Sequence, residues 1–293
     1  MIEISHVSKN FGELKALDDV SISIKKGTIY GIIGENGAGK STILQSLAGI
    51  YAVEKGSVLV EGEPIYENNA VKSNIGYVAD RNQFFKSYTV KQMVNFFKMV
   101  YPDFSEEKFY RYNELLSLNL KSKVRNLSKG MQMRLSIMLN LAISPKILVL
   151  DEPTSGLDAM AKKQVLDLVI EEVSLSQMTV VISSHHLIEL EKICDEVTII
   201  HQGKVAYQTS VDELKAKVKK LQVVFKNNPP EDLSEWEEIL NLDNIGSVYY
   251  IVTNKYSSSF EEKLRGHGAT LVETIGLDLE EVFIYTHPNA KNK

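Results

Sequence analysis

The sequence contains one cysteine, Cys194, so no internal disulfide can form and an oxidising compartment is not being exploited. Nor is there a basic excess. Lys and Arg number 33 against 38 Asp and Glu, a formal net charge of -5, which disfavours a non-specific nucleic-acid binder because phosphate-backbone affinity needs clustered cations. No apolar run approaches the ~18 residues that a bilayer-crossing helix requires; ILVL at 147–150 and VYYIV at 248–252 are among the longest. Met1 leads into IEISHVSKNFG, without the basic start and apolar centre of a signal peptide. A cytosolic chain is expected, reaching a membrane only through a partner. What is present is ordinary globular material: 293 residues, 44% hydrophobic and 24% charged, enough for a sizeable core and one or two domains.

The first ~65 residues alternate short β-like runs with turns: IEISHV, VSISI, TIYGIIG and SVLVEGEPI. TIYGIIG runs into the Gly-rich loop ENGAGK and then into STILQSLAGI, where Ile43, Leu44, Leu47 and Ile50 have helical spacing that stops near Gly49. From Thr89 to about Leu118 the pattern turns helical, interrupted at Tyr101, Pro102 and Asp103, with Ser105, Glu106 and Glu107 as cap and first turn. KILVLDEP and TVVISSHH read as strands flanking a helix over 159–175, and EVTIIHQGKVAY reads as a hairpin turning at Gln202 and Gly203. Strand and helix in alternation predict a parallel α/β sheet. After SVDELKAKVKK the composition shifts to LQVVF, a polar turn, a short helix around Trp236, VYYIVTN, a helix through FEEKLRGHG, and TLVETIG. The boundaries are therefore set at 1–215 for an α/β domain and 216–293 for a small α+β domain, with Asp278 to Tyr285 packing back onto the latter.

Residues 34–41, GENGAGKS, fit GxxxxGK[ST] between a strand and a helix. Gly34, Gly37 and Gly39, with Glu35, Asn36 and Ala38 between them, let backbone amides surround phosphate oxygens while the following helix adds its positive end. Lys40 is expected to reach the β and γ phosphates, Ser41 to ligate Mg²⁺ and Thr42 to reach the α phosphate. KILVLDEP supplies two carboxylates at the end of a buried strand, a costly placement unless a cation or a reacting water uses them. Asp151 is assigned to Mg²⁺ and Glu152 to the water that attacks the γ phosphate.

GENGAGKST, LSKGM, ILVLDEPTSGLD and VVISSHH, in that order, resemble the nucleotide-binding subunits of ABC transporters over residues 1 to about 215. The resemblance implies a P-loop NTPase fold of α/β class, with a mixed sheet core, an antiparallel β subdomain and a helical subdomain. It implies that two such subunits face head to tail, LSKGM of one closing over ATP held by the other. Ser128, Lys129, Gly130 and Met131 would then serve the neighbour's site, with Lys129 and Met131 departing from the usual LSGGQ. Lys129 would either add charge near phosphate or point to solvent. Ser128 also reads as an ordinary helix cap. By the same comparison Asp158 lies in the loop linking the two sites, His185 is the histidine that touches the γ phosphate, and Phe11 is the aromatic stacked on adenine. Asp80 occupies the position of a glutamine that reaches Mg²⁺ and contacts the membrane subunit.

Implied cofactors are ATP and Mg²⁺; implied partners are an integral-membrane permease and a second nucleotide-binding subunit, with no nucleic acid. The chain would sit peripherally at the inner face of the cell membrane. YPDFSEEKF, KVRNLSKGMQMRLSI and DLEEVFIYTH resemble ATPase subunits of bacterial antibiotic and antimicrobial-peptide exporters. The alternative is a non-transport or regulatory ABC ATPase, for which Asp80, Lys129 and Met131 speak; a single cassette with only about ninety residues between Lys40 and Ser128 speaks against ribosome- or chromosome-type members.

Overall fold

The computed structural model describes residues 1–184, 187–213, 218–277 and 281. The chain divides into two compact units, Met1–Gln208 and Thr209–Lys293. The composition shift had placed this boundary at 215/216.

In the first unit, β1 (Ile2–Phe11) and β2 (Leu14–Ile24) form an antiparallel pair, joined by β4 (Lys55–Val60) and β5 (Glu63–Pro64) in the order β2-β1-β4-β5. Ile2, Ile4 and Val7 of β1 and Val20, Ile22 and Ile24 of β2 are buried, the period-two signature of a sheet with one covered face. The second sheet has the order β10-β9-β3-β8-β7-β6. Its members are β3 (Ile29–Ile33), β6 (Ile75–Val78), β7 (Ile147–Asp151), β8 (Thr179–Ser184), β9 (Glu196–His201) and β10 (Lys204–Ser210). β3, β7 and β8 are buried at every position, which explains their unbroken apolar runs. The pairs β3–β8, β7–β8, β3–β9 and β6–β7 are parallel, with Ile33 opposite Ser184 and Asp151 opposite Ser183. Parallel pairing thus brings the ends of β3, β7 and β8 to one edge of the sheet, where ligands of open α/β folds collect.

Helix α1 (Lys40–Leu47) packs Ile43, Leu44 and Leu47 into the core that Tyr30, Val149 and Val181 share. α2 (Asn69–Lys72) is a single turn before β6. Between β6 and β7 lie α3 (Val90–Val100), α4 (Glu106–Leu116) and α5 (Lys129–Ala142). α3 starts in a capping box of Thr89 and Gln92, and Ser105 caps α4 where the sequence placed it. α6 (Ala159–Ser176) buries Glu172, whose carboxylate takes Arg111 and Lys108 of α4, so a buried charge is paired twice. α7 (Leu187–Leu190) follows β8. Among the described residues no helix is long and apolar enough to cross a membrane.

The second unit holds an antiparallel sheet of order β12-β13-β11-β14, from β11 (Lys219–Phe225), β12 (Ile239–Ile245), β13 (Val248–Thr253) and β14 (Ala269–Ile275), with α8 (Ser258–Gly266). Its own core gathers Leu221, Val223, Trp236, Ile251, Phe260 and Leu264. Two readings need correction. The helix expected around Trp236 is a single 3-10 turn, Leu233–Glu235, after which Trp236 is extended. β12 was not anticipated at all. The segment 278–285 lies, apart from Glu281, outside the described residues.

Candidate nucleotide site

At the shared edge of β3 and β7, a cleft of about 510 Å³ is lined by Phe11, Glu35, Asn36, Gly37, Gly39, Lys40, Ser41, Thr42, Asp80 and Glu152. Folding therefore gathers residues from four separate stretches of sequence that had been singled out for one chemistry. Gly39 shows why the loop needs glycine. Its φ is 109°, and a Cβ there would sit 2.7 Å from the carbonyl oxygen of Ala16. It precedes α1 without a side-chain cap, so the first-turn amides keep their donors for an anion.

The Lys40 side chain is only 6% exposed. Its ammonium donates to the carbonyls of Gly34 (2.7 Å) and Glu35 (3.1 Å) and lies 3.4 Å from Oε1 of Glu152. A buried ammonium is thus held by the loop it serves and by the carboxylate that follows β7. Oδ1 of Asp151 accepts from the hydroxyls of Ser41 (3.1 Å) and Ser183 (2.7 Å). Burial pushes the Asp151 carboxyl above its ordinary range; the two serine bonds oppose the shift, and the charges of Glu152 and Asp80 add to it. Ser183 also accepts from the backbone N–H of Glu152 at 3.1 Å. Glu152 itself stands at φ 50°, left-handed backbone that costs a non-glycine residue about 1–2 kcal/mol.

The hydroxyl of Ser41 beside the carboxylate of Asp151 is an all-oxygen donor pair, the chemistry a small hard cation such as Mg²⁺ takes. Among the described residues no three His, Cys, Asp or Glu side chains form a metal cage, so phosphate and water would complete the coordination.

Phe11, 43% exposed, meets Tyr51 edge-on at 5.2 Å between centroids and has the Lys9 ammonium 5.5 Å above its ring. Of the other sequence-selected residues that are described, none lines the cleft. Ala38 is buried, and a Cβ on Gly34 would meet the carbonyl oxygen of Ile200 at 2.4 Å. Ser128 caps α5, accepting from the N–H of Met131 at 3.2 Å, and Asp158 caps α6, accepting from the N–H of Ala161 at 2.9 Å. Gly130 presses on the loop before α6: a Cβ there would lie 2.6 Å from the carbonyl oxygen of Gly156. Lys129 points neither to solvent alone nor to the cleft; its ammonium lies 2.7 Å from Oδ1 of Asp80 and 2.9 Å from Oγ of Ser155. His185 lies outside the described residues. Sequence reading missed Leu14, Lys15, Ala16, Gln202 and Gly203 on the rim. It also missed Ser183, for which the one available signal was a polar residue inside the strand TVVISS.

A phosphate-type loop after β3, a serine–aspartate pair and a glutamate after β7, with β8 between the two strands, define a P-loop ATPase. A family model described as ABC transporter matches residues 17–155. The chain is 32% identical over 284 residues to the ABC transporter ATP-binding protein YtrB of Bacillus subtilis (strain 168), covering 97% of each. It is 31% identical over 223 residues to the bacitracin transport ATP-binding protein BcrA of Bacillus licheniformis, covering 75% of this chain and 73% of that one. Among solved structures, cbiO1 from Clostridium perfringens, part of the ABC transporter complex cbiONQ, superposes with a TM-score of 0.63 at 29% identity, over 74% of this chain and 90% of that one. The chain belongs to the ABC transporter family: it is an ATP-binding subunit of an ABC transporter, and an ATPase.

Proposed function

We propose that this chain is one half of a two-site ATPase that closes around ATP with a second such subunit and drives a separate membrane permease exporting peptide or antibiotic-like compounds. The observation that carries this reading is the Ser41–Asp151 hydrogen bond beside the Lys40–Glu152 ion pair, with Lys40, Ser41 and Glu152 lining one cleft. Phosphate oxygens would exchange with the loop carbonyls now bonded to Lys40, gaining the ammonium and the α1 amides together. Thr42 lies within reach of the α phosphate, and Phe11, on the rim, offers its exposed ring to adenine. Ser41 and Asp151 would hold Mg²⁺, which when bound neutralises phosphate charge. Asp80 is left out of that pair because its carboxylate is committed to Lys129.

Glu152 accepts a hydrogen bond from the attacking water. The water oxygen forms a bond to the γ phosphorus as Glu152 takes its proton and the bond to the bridging oxygen breaks, giving ADP and phosphate. The resemblance assigns His185, outside the described residues, to the γ phosphate. Ser128 and Gly130, at the start of α5, present hydroxyl and amides to the neighbour's nucleotide, and Asp158 links the sites.

Two further observations support coupling to a permease. Phe85 is 50% exposed and packs with Tyr88 and Phe96 a few residues after Asp80; Met99 and Val100 at the end of α3 are exposed as well. This apolar patch suits a helix of a membrane partner. The likeness to a bacitracin transport protein supports the export of a peptide-like compound. Glu152→Gln should bind ATP, lose turnover at least a hundredfold, in line with removal of a general base, and accumulate dimers on size-exclusion chromatography. Wild-type turnover in that variant would remove Glu152 from its role. Copurification of a polytopic membrane protein with the tagged chain tests the partner.

A further inference from the structure

Lys129 occupies an unfavourable place. It is the first residue of α5, where the helix dipole repels a cation, and the first turn of α5 holds no acidic residue. Its ammonium instead finds its anion in Asp80, just beyond β6, at 2.7 Å, and a second acceptor in Ser155 at 2.9 Å. The pair is open to solvent, the two side chains being 48% and 36% exposed, so it adds little to folding. Its effect lies in where Asp80 points. Asp80 shares the cleft wall with Lys40, Ser41 and Glu152. A bare carboxylate here would add a third negative group to a cleft that must receive a polyanion.

We propose that Lys129 is a positioning residue for the phosphate site that acts through Asp80: it draws the Asp80 carboxylate to the start of α5 and cancels its charge, so that the cleft accepts nucleotide phosphates. The proposal rests on the reading of the cleft as the ATP site. The two departures from the usual motifs, Asp80 and Lys129, then compensate each other, and the same ammonium joins a chain's own phosphate cleft to the helix it offers a neighbour.

The test is calorimetric titration of the full chain with ATP, in EDTA and again with Mg²⁺, alongside melting curves. Lys129→Met should weaken ATP binding in EDTA about three- to tenfold, the range that one uncompensated charge produces at dielectrics between protein and water. The second substitution, Asp80→Asn in the Lys129→Met background, should restore affinity. Freed Asp80 should also lower the free Mg²⁺ needed for half-maximal ATPase in Lys129→Met, and that shift should vanish in the double variant. Equal weakening with and without Asp80→Asn would mean that Lys129 acts on phosphate directly, and unchanged affinity with a lower melting temperature would mean a structural role; either overturns the proposal. Should Lys129→Met not fold, Lys129→Gln poses the same question. Lys40→Ala is the control: if it binds ATP like the wild type, the reading of the cleft falls, and the proposal with it, a result distinct from failure of the Asp80 rescue.

Discussion

On the proposed function, Asp151 sets activity against stability at a single residue. Its carboxyl is raised by burial, so the fold disfavours the ionised form of this group. A raised folded-state value contributes stability below the unfolded value of the carboxyl and loses it as pH rises through the folded value. Asp151→Asn keeps an acceptor for Ser41 and Ser183 and removes the charge. It should therefore melt higher than the wild type at neutral pH by about 2–4 °C per kcal/mol gained, while losing ATPase activity. The gap should close as pH falls toward the ordinary carboxylate range, and melting curves over that pH range would check it. A gap that widens on acidification contradicts the assignment. Asp151 could be singled out in the sequence because two adjacent acids end an apolar strand in a chain that also carries the phosphate loop. Ser183, which holds Asp151 and Glu152 in place, was not legible, since its partner is thirty-two residues away and one strand across.

At the scale of elements, the proposed function gives the start of α5 two duties on one hydroxyl. Ser128 caps the helix, a contribution of about 1 kcal/mol against alanine but only a few tenths against glycine. Ser128→Gly should thus leave the melting temperature nearly unchanged yet slow ATP hydrolysis, whereas Ser128→Ala should lower both. Equal ATPase in Ser128→Gly and wild type would confine the hydroxyl to capping. Helix starts of this kind were readable because caps are local: Thr89, Ser105 and Ser257 all cap helices that the sequence had suggested. β12 was unreadable for the opposite reason. Asn241, Asp243 and Asn244 are turn-favouring residues, and what makes Ile239–Ile245 a strand is its ladder to β13, a tertiary partner that overrides local preference.

For the whole molecule, the two units have separate cores, one around α1 and the parallel sheet, the other around Trp236 and α8. The order of motifs revealed the first unit because its chemistry recurs along the chain; the second has no such chemistry, and only its change of composition marked it. Separate cores imply separate responses to ligand, since a ligand stabilises the unit that binds it. The chain's only cysteine, Cys194, is buried in the first unit, and its only tryptophan, Trp236, is 8% exposed in the second, beneath the Lys263 ammonium at 4.0 Å. ATP should slow modification of Cys194 by a thiol reagent and leave the denaturant midpoint of Trp236 fluorescence where it was. A parallel shift of both would show that nucleotide binding reaches the second unit. Each unit of the polypeptide thus carries its own native label, one chemical and one optical, and a mixture of partly opened forms can be resolved without attaching a dye.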